Sequence, residues 1–235
     1  MSAREATLLA SHFCAPHTKH FRFRAEGGER FEFQPGQFVS LTHVVEDTEM
    51  TRYYSIASPP RADNQFDLCL NRSETSPSRF ATFLFELEAG ARLRLGGPFG
   101  EFRLRPEARD SLFIATGTGI APFRAMVPHF LASRPACRAW LLYGVRSEKN
   151  ILFAAEFSAL AAAEPRFRFL PTLSRPPEGW HGATGYVQEH LERLLAGRSD
   201  LDVYLCGLTA MVNEVRGQLE SAGLPPEAIV SEKYD

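Results

Sequence analysis

Phe113-Ile114-Ala115-Thr116-Gly117-Thr118-Gly119-Ile120-Ala121-Pro122 is an apolar run that meets a glycine pair and then a proline. The run reads as a buried strand over 111–115, and the proline opens a helix over 122–133. The glycines between them let the backbone come close to a ligand. The helix N-terminus offers N–H groups and the positive end of a dipole to a pyrophosphate. A tight strand-to-helix turn without a ligand uses the same letters, so a lone Gly-x-Gly leaves both readings open.

Downstream, strands at 139–144, 166–172 and 202–206 alternate with helices at 152–163, 187–196 and 210–222. That is the sequence form of a parallel sheet covered by helices, whose ligands lie at the carboxyl ends of the strands. Upstream, the pattern changes near Arg105-Pro106. Short β-rich runs at 7–15, 19–25, 30–34, 37–43 and 66–71 are separated by Pro16-His17, Gly27-Gly28 and Pro35-Gly36. Such spacing predicts a small antiparallel barrel. One helix interrupts it over 78–87, where Phe80, Phe83, Leu84 and Leu87 recur at helical spacing. The expected architecture is therefore two-domain. An antiparallel β-barrel with one capping helix (residues 1–104) precedes an α/β parallel-sheet nucleotide-binding domain (residues 105–235).

The 235 residues are enough for two such cores, and 44% hydrophobic with 23% charged residues is ordinary for a soluble protein. A net charge of -2 gives no reason to expect nucleic acid or an anionic membrane as partner. No apolar run reaches the roughly 20 residues of a membrane span. Residues 1–10 carry Arg4 and Glu5 without a signal-peptide core, so a cytoplasmic protein is expected. Cys14, Cys69, Cys137 and Cys206 lie far apart with no Cys-x-x-Cys pair, and neither a zinc site nor an iron–sulfur cluster is suggested.

A second stretch carries chemistry: Thr51-Arg52-Tyr53-Tyr54-Ser55-Ile56-Ala57-Ser58, preceded by Pro35-Gly36-Gln37-Phe38. An arginine can grip a phosphate bidentately, a tyrosine can stack on a flat heterocycle, and a serine can hydrogen-bond a ring nitrogen. Taken alone, the stretch reads more simply as a barrel strand with two aromatics facing the core and Arg52 snorkelling at its end.

In order and spacing, these segments resemble the ferredoxin–NADP reductase superfamily over nearly the whole chain. Arg52, Tyr54 and Ser55 match its Arg-x-Tyr-Ser motif, and Gly97-Pro98-Phe99-Gly100-Glu101-Phe102 its barrel-ending Gly-Pro-x-Gly-x-Phe. Residues 117–122 match Gly-Thr-Gly-x-Ala-Pro, Cys206-Gly207 with Met211 the late Cys-Gly, and Glu232 with Tyr234 the terminal Glu-x-aromatic. The resemblance implies an FAD-dependent oxidoreductase that passes hydride between NAD(P)H and flavin. Electrons then go to a separate ferredoxin, flavodoxin or oxygenase component.

It also implies roles for residues. Arg52 would face the FAD phosphates, and Tyr54 would pack on one face of the isoalloxazine. Ser55 would hydrogen-bond flavin N5. Tyr234 would cover the opposite face and yield to nicotinamide. Cys206, Gly207 and Glu232 would border the place where nicotinamide and flavin meet. The pyrophosphate of the coenzyme would lie over Gly117, Thr118 and Gly119. For Cys206 the plain alternative is a small core residue at a strand end; for Tyr234 it is a disordered terminus.

Some positions depart from the family pattern. Ala81 stands where a serine is common, which leaves Thr82 and backbone N–H groups to hold the flavin phosphate. The loop 71–76 has no adenosine-binding pattern that carries over. Tyr53 replaces the usual leucine or alanine and is expected to point into the barrel wall, away from flavin. NADPH is favoured over NADH because Arg146 and Arg175, with Ser174 beside the latter, follow successive strands at positions matching 2′-phosphate ligands. A third basic position in 182–188 is not met, since Thr184 and Tyr186 occupy it. Two rivals remain: a free-flavin reductase and a non-enzymatic binding subunit on the same fold. Arg52 with Gly97-Pro98 argues against the first, and a complete 117–122 loop against the second.

Overall fold

The computed structural model describes residues 4–234, which divide into two compact units. One takes the chain through Leu104 together with Ala121–Met126; the other takes Arg105–Ile120 and the chain from Val127 onward.

The first unit is built by period-two alternation. β1 (Arg4–Ala15) and β2 (Thr18–Ala25) form a hairpin, and β3 (Phe38–Val45) and β4 (Thr48–Ser55) a second one around Glu46-Asp47, both at positive φ. β5 (Gln65–Asn71), the helix α1 (Arg79–Glu86) and β6 (Arg92–Phe99) complete it. All neighbours are antiparallel in the order β4-β3-β6-β1-β2-β5. Just past β4, the Ala57 N–H donates to the Asp67 carbonyl on β5 (2.7 Å), which brings the two outer strands together. Phe21, Phe23, Phe31, Phe66 and Phe80 are buried in the interior. α1 starts where Ser78 Oγ accepts the Ala81 N–H (3.1 Å), and it buries Phe80, Leu84 and Phe85.

Two expectations need correction here. Residues 30–34 are not a strand: the Phe31 N–H goes to Asn64 Oδ1 (2.9 Å) and the Gln34 N–H to Gln37 Oε1 (2.8 Å). Phe31 and Phe33 still turn inward at period two, but side-chain amides take the N–H groups that a ladder would need. Tyr53 does not point into the barrel wall; it is 65% exposed, with its ring edge-on to Phe38. Register explains the reversal. Arg52 opposes Leu41 and Tyr54 opposes Val39, both core residues, so Tyr53, opposite Ser40, falls on the outer face.

In the second unit, β7 (Ser111–Thr116), β8 (Ala139–Val145), β9 (Phe167–Leu173), β10 (Ala183–Thr184), β11 (Asp202–Leu208) and β12 (Ile229–Tyr234) form one parallel sheet. Their order is β10-β9-β8-β7-β11-β12. The helices are α2 (Phe123–Ser133), α3 (Ala154–Ala163), α4 (Leu191–Leu195) and α5 (Thr209–Ser221). A 3-10 turn, Gly117–Ile120, leads from β7 toward α2. The helix expected over 187–196 is split into a 3-10 turn, Val187–His190, and α4. From β7 the chain works outward to β10, then returns to lay β11 and β12 on the other side of β7. The carboxyl ends of β7 and β11 are thus adjacent at the point where strand order reverses, the place where open α/β sheets take ligands. No helix among the described residues is long and apolar enough to cross a membrane.

Candidate functional site

The nucleotide end of the second unit is shaped by how closely its loops approach. A Cβ on Gly119 would stand 2.2 Å from the Cys206 carbonyl oxygen, and one on Gly207 2.3 Å from Thr116 Oγ1. Only glycine lets these loops touch. Gly117 behaves differently: it is exposed at φ 55°, and its missing Cβ would meet nothing within 4 Å. Its carbonyl is held by the Tyr143 hydroxyl (2.9 Å). Thr118 is half-buried beside it. Thr116 Oγ1 is buried without a hydrogen-bond partner among the described residues. An open glycine flank beside an orphaned hydroxyl, at the carboxyl edge of the sheet, fits an incoming polar ligand.

Cys206 and Glu232 sit in register on β11 and β12, as do Leu208 and Tyr234. Cys206 is fully buried. Burial and the nearby Glu232 carboxylate push its thiol up, against a hydrogen bond with Tyr234 that pulls the other way. Cys206, Glu232 and Tyr234 therefore form one group, and Tyr234 is ordered in a strand that the sequence reading did not anticipate.

Arg146 and Arg175, 29 residues apart in the chain, are brought side by side. The Ser174 N–H donates to the Val145 carbonyl (3.0 Å) and the Arg175 N–H to the Arg146 carbonyl (2.7 Å), tying the two segments together just past the ends of β8 and β9. Both arginines are exposed, and Ser174 is half-buried. Thr184 pairs with Leu173 on the next strand, so the third, non-basic position lies on the same edge.

In the first unit, Arg52 and Tyr54 share the face of β3 that carries Val39, Leu41 and His43. Phe83 of α1 stacks on His43 (4.7 Å), so the capping helix lies on that face too. Arg52 is exposed and donates to the Thr51 carbonyl (2.8 Å). Tyr54 packs against the core; burial pushes its hydroxyl up in pKa, opposed by the Arg52 charge. Ser55 ends β4, buried, opposite Phe38. Thr82 is half-buried in the first turns of α1, with its N–H given to the Ser78 carbonyl (3.0 Å). The first N–H groups of that helix, those of Arg79 and Phe80, lie outside its ladder. One face thus offers a guanidinium, a helix N-terminus and an aromatic ring, a donor set that fits the phosphates and flat ring of a flavin nucleotide.

An antiparallel barrel with this face and a parallel sheet with this nucleotide edge define an oxidoreductase that uses a bound flavin and a nicotinamide coenzyme. Residues 5–104 match the oxidoreductase FAD-binding domain family and residues 113–217 the oxidoreductase NAD-binding domain family. Over 98% of its length the chain is 39% identical to ferredoxin–NADP reductase B of Sorangium cellulosum, and it covers 97% of that protein. It is 30% identical to the anthranilate 1,2-dioxygenase electron transfer component of Acinetobacter baylyi over 88% of its length, but spans only 59% of that relative. Among solved structures, the cytochrome P450 reductase GcoB of Amycolatopsis superposes with a TM-score of 0.88 at 27% identity, covering 98% of this chain and 69% of that one. The ferredoxin NADP+ reductase of Neisseria gonorrhoeae shares the fold at a TM-score of 0.84 and 21% identity, with 99% of each chain covered. The chain belongs to the ferredoxin–NADP reductase superfamily and is an NAD(P)H-dependent flavoprotein enzyme that uses FAD.

Two features of the first unit escaped sequence reasoning. β6 was not recognised as a strand, although Arg92-Leu93-Arg94-Leu95 alternates at period two and could have marked it. Asp67, within the β-rich run 66–71, is the centre of the ionic cluster described below.

Proposed function

We propose that this enzyme is an NADPH-preferring reductase of the cytoplasm that delivers electrons to a separate protein, a ferredoxin, a flavodoxin or an oxygenase component. Residues 1–104 hold FAD and residues 105–235 take the coenzyme. The relative named ferredoxin–NADP reductase B, matched over nearly its whole length, and the dioxygenase electron transfer components support this class of acceptor. FAD, held by residues 1–104, would supply the hydride and one- or two-electron chemistry that the side chains themselves cannot.

The chain's own residues bind and orient. Arg52 and the start of α1, with Thr82, hold the flavin phosphates; Tyr54 packs on the isoalloxazine; Ser55 donates to N5. Gly117, Thr118 and Gly119 take the coenzyme pyrophosphate at the edge of β7, with Gly207 keeping the floor clear. Cys206, Glu232 and Tyr234 form the wall that receives the nicotinamide amide group. Arg146 and Arg175 clasp the 2′-phosphate, with Ser174 beside them.

The observation that carries the coenzyme preference is the bond from the Arg175 N–H to the Arg146 carbonyl, which makes two exposed arginines backbone neighbours at the carboxyl ends of β8 and β9. Loss of one charge-assisted contact, worth about 1.5–3 kcal/mol, lowers kcat/KM for NADPH by about 10- to 100-fold. Arg175→Ala should therefore harm NADPH use and spare NADH. A wild type that prefers NADH, or equal losses with both coenzymes, would overturn the assignment. Turnover of ferredoxin and flavodoxin, measured beside cytochrome c and ferricyanide, tests the acceptor. Saturable reduction of the first two is expected; turnover of free flavin and ferricyanide alone would refute the proposal.

A further inference from the structure

A buried ionic cluster lies against the segment that follows Ser55, and the roles above do not use it. Asp67 on β5 has a fully buried side chain. Its carboxylate accepts from Arg22 Nε (3.0 Å), from both terminal nitrogens of Arg61 (2.9 and 3.0 Å) and from Arg124 Nη1 (3.1 Å), with His20 Nε2 at 3.2 Å. Arg124 lies within Ala121–Met126, so the cluster belongs wholly to the first unit. Burial alone would push the Asp67 carboxyl up; hydrogen bonds from His20, Arg61 and Arg22 outweigh it and hold the group well below the usual carboxylate range.

Desolvation offsets much of the Coulomb gain in such a cluster, so its geometry matters more than its net energy. The Asp67 N–H donates to Ser58 Oγ (3.0 Å), and the Asp67 carbonyl accepts the Ala57 N–H (2.7 Å). The same Arg124 Nη1 that meets Asp67 also donates to the Ala57 carbonyl (3.0 Å). The Ile56 N–H is taken by the Gln37 carbonyl (2.9 Å). Ile56, Ala57 and Ser58 are fully buried. Arg124 is the least exposed of the three arginines, at 16% against 26% for Arg61 and 42% for Arg22. Arg22 bonds to the Asp67 carboxylate from its cross-strand position.

We infer that Arg124 and Asp67 are positioning residues for Ser55. They fix the chain one to three residues beyond it, so that its hydroxyl keeps a single place. This rests on the proposed contact of Ser55 with flavin N5. Removing the Arg124 contact slows flavin reduction and alters the flavin's surroundings without emptying its site.

The test uses FAD-loaded enzyme and three readouts: FAD per chain, the visible spectrum of oxidised flavin, and single-turnover bleaching by NADPH. Arg124→Met should bleach at least fivefold more slowly at unchanged FAD content, and shift the spectrum in the direction that Ser55→Ala shifts it. Added to Ser55→Ala, it should slow bleaching by less than a further twofold. Arg124→Lys, whose single nitrogen can take the place of Nη1, should recover to within threefold of wild type. Arg22→Met loses a partner of Asp67 but no bond to 56–58, and should stay within twofold. Ser58→Ala, a one-atom deletion that removes the acceptor of the Asp67 N–H, should slow bleaching at least threefold and serves if Arg124→Met does not fold. The inference is overturned if Ser55→Ala is slow while Arg124→Met or Ser58→Ala matches wild type, or if Arg22→Met is as slow as Arg124→Met. If Ser55→Ala itself leaves rate and spectrum unchanged, the N5 contact is wrong and the inference falls with it.

Discussion

Gly119→Ala is the substitution whose outcome the packing of the nucleotide edge dictates most directly. The new methyl group would stand 2.2 Å from the Cys206 carbonyl oxygen, 2.6 Å from its carbon and 2.9 Å from the Gly207 nitrogen. All three are backbone atoms of β11, a strand hydrogen-bonded on both sides, so no side chain can swing away. Relief requires the loop to move outward by about 1 Å, and overpacking of this kind costs about 1–3 kcal/mol. With an obstacle made only of backbone, the upper end applies. At about 2–4 °C per kcal/mol for a chain of this size, Tm falls by about 6–12 °C. A displacement of about 1 Å in a positioning loop costs about 10²-fold in rate, so kcat/KM for NADPH drops on that scale while FAD content holds. Gly117→Ala is the internal comparison. Its methyl group enters open space, and the cost is only that of a left-handed φ of 55°, about 1–2 kcal/mol. Thermal unfolding followed by circular dichroism, with steady-state kinetics on the FAD-loaded variants, reads both effects. Equal Tm losses for the two variants, or a Gly119→Ala enzyme with wild-type Tm and wild-type NADPH use, would show that the loop does not press on β11 as described.

Thr116→Val removes a buried hydroxyl that has no partner among the described residues. Tm should hold or rise slightly while the Kd for NADPH, measured by titration, weakens about tenfold; a loss of stability with unchanged affinity would mean that the hydroxyl is structural. The purified enzyme should carry about one FAD per chain, as the single flavin motif implies, and extraction of FMN would contradict the reading of the first unit. Asp67→Asn leaves the half-buried Arg61 and Arg124 without their counter-charge and should cost about 3 kcal/mol at pH 7, the lower end for a broken buried pair because both arginines keep some contact with water, read from urea unfolding. Because the folded pKa of Asp67 is depressed, its stabilising effect is fully present above the unfolded value of about 3.9 and is lost as pH falls toward the folded one. The gap between wild type and Asp67→Asn should therefore stay level from pH 8 to pH 5 and close below about pH 4. A gap that closes between pH 5 and 8 would assign the effect to another group.

Local signals were enough wherever neighbours in the chain make the structure. The strand, glycine pair and helix around 113–122 were legible because the turn chemistry is contiguous, and the alternation that follows set the parallel sheet. The flavin and nucleotide motifs could likewise be read from order and spacing. Orientation across a sheet was not legible: Tyr53 turns outward only because β3 and β4 pair with Leu41 opposite Arg52, and register belongs to two strands at once. Residues 30–34 have the alternation of a strand, yet the side chains of Asn64 and Gln37 take backbone donors that a ladder would need. Arg146 and Arg175 look like scattered surface charge until parallel pairing of β8 with β9 sets them together. Cys14 and Cys69, distant in sequence, have sulfurs 3.9 Å apart, and Asp67 gathers Arg22, Arg61 and Arg124 from three separate stretches of chain. Periodicity and motif reach only a few residues along the backbone; which side chains meet across strands is decided by the closure of the sheet, which no single stretch of sequence contains.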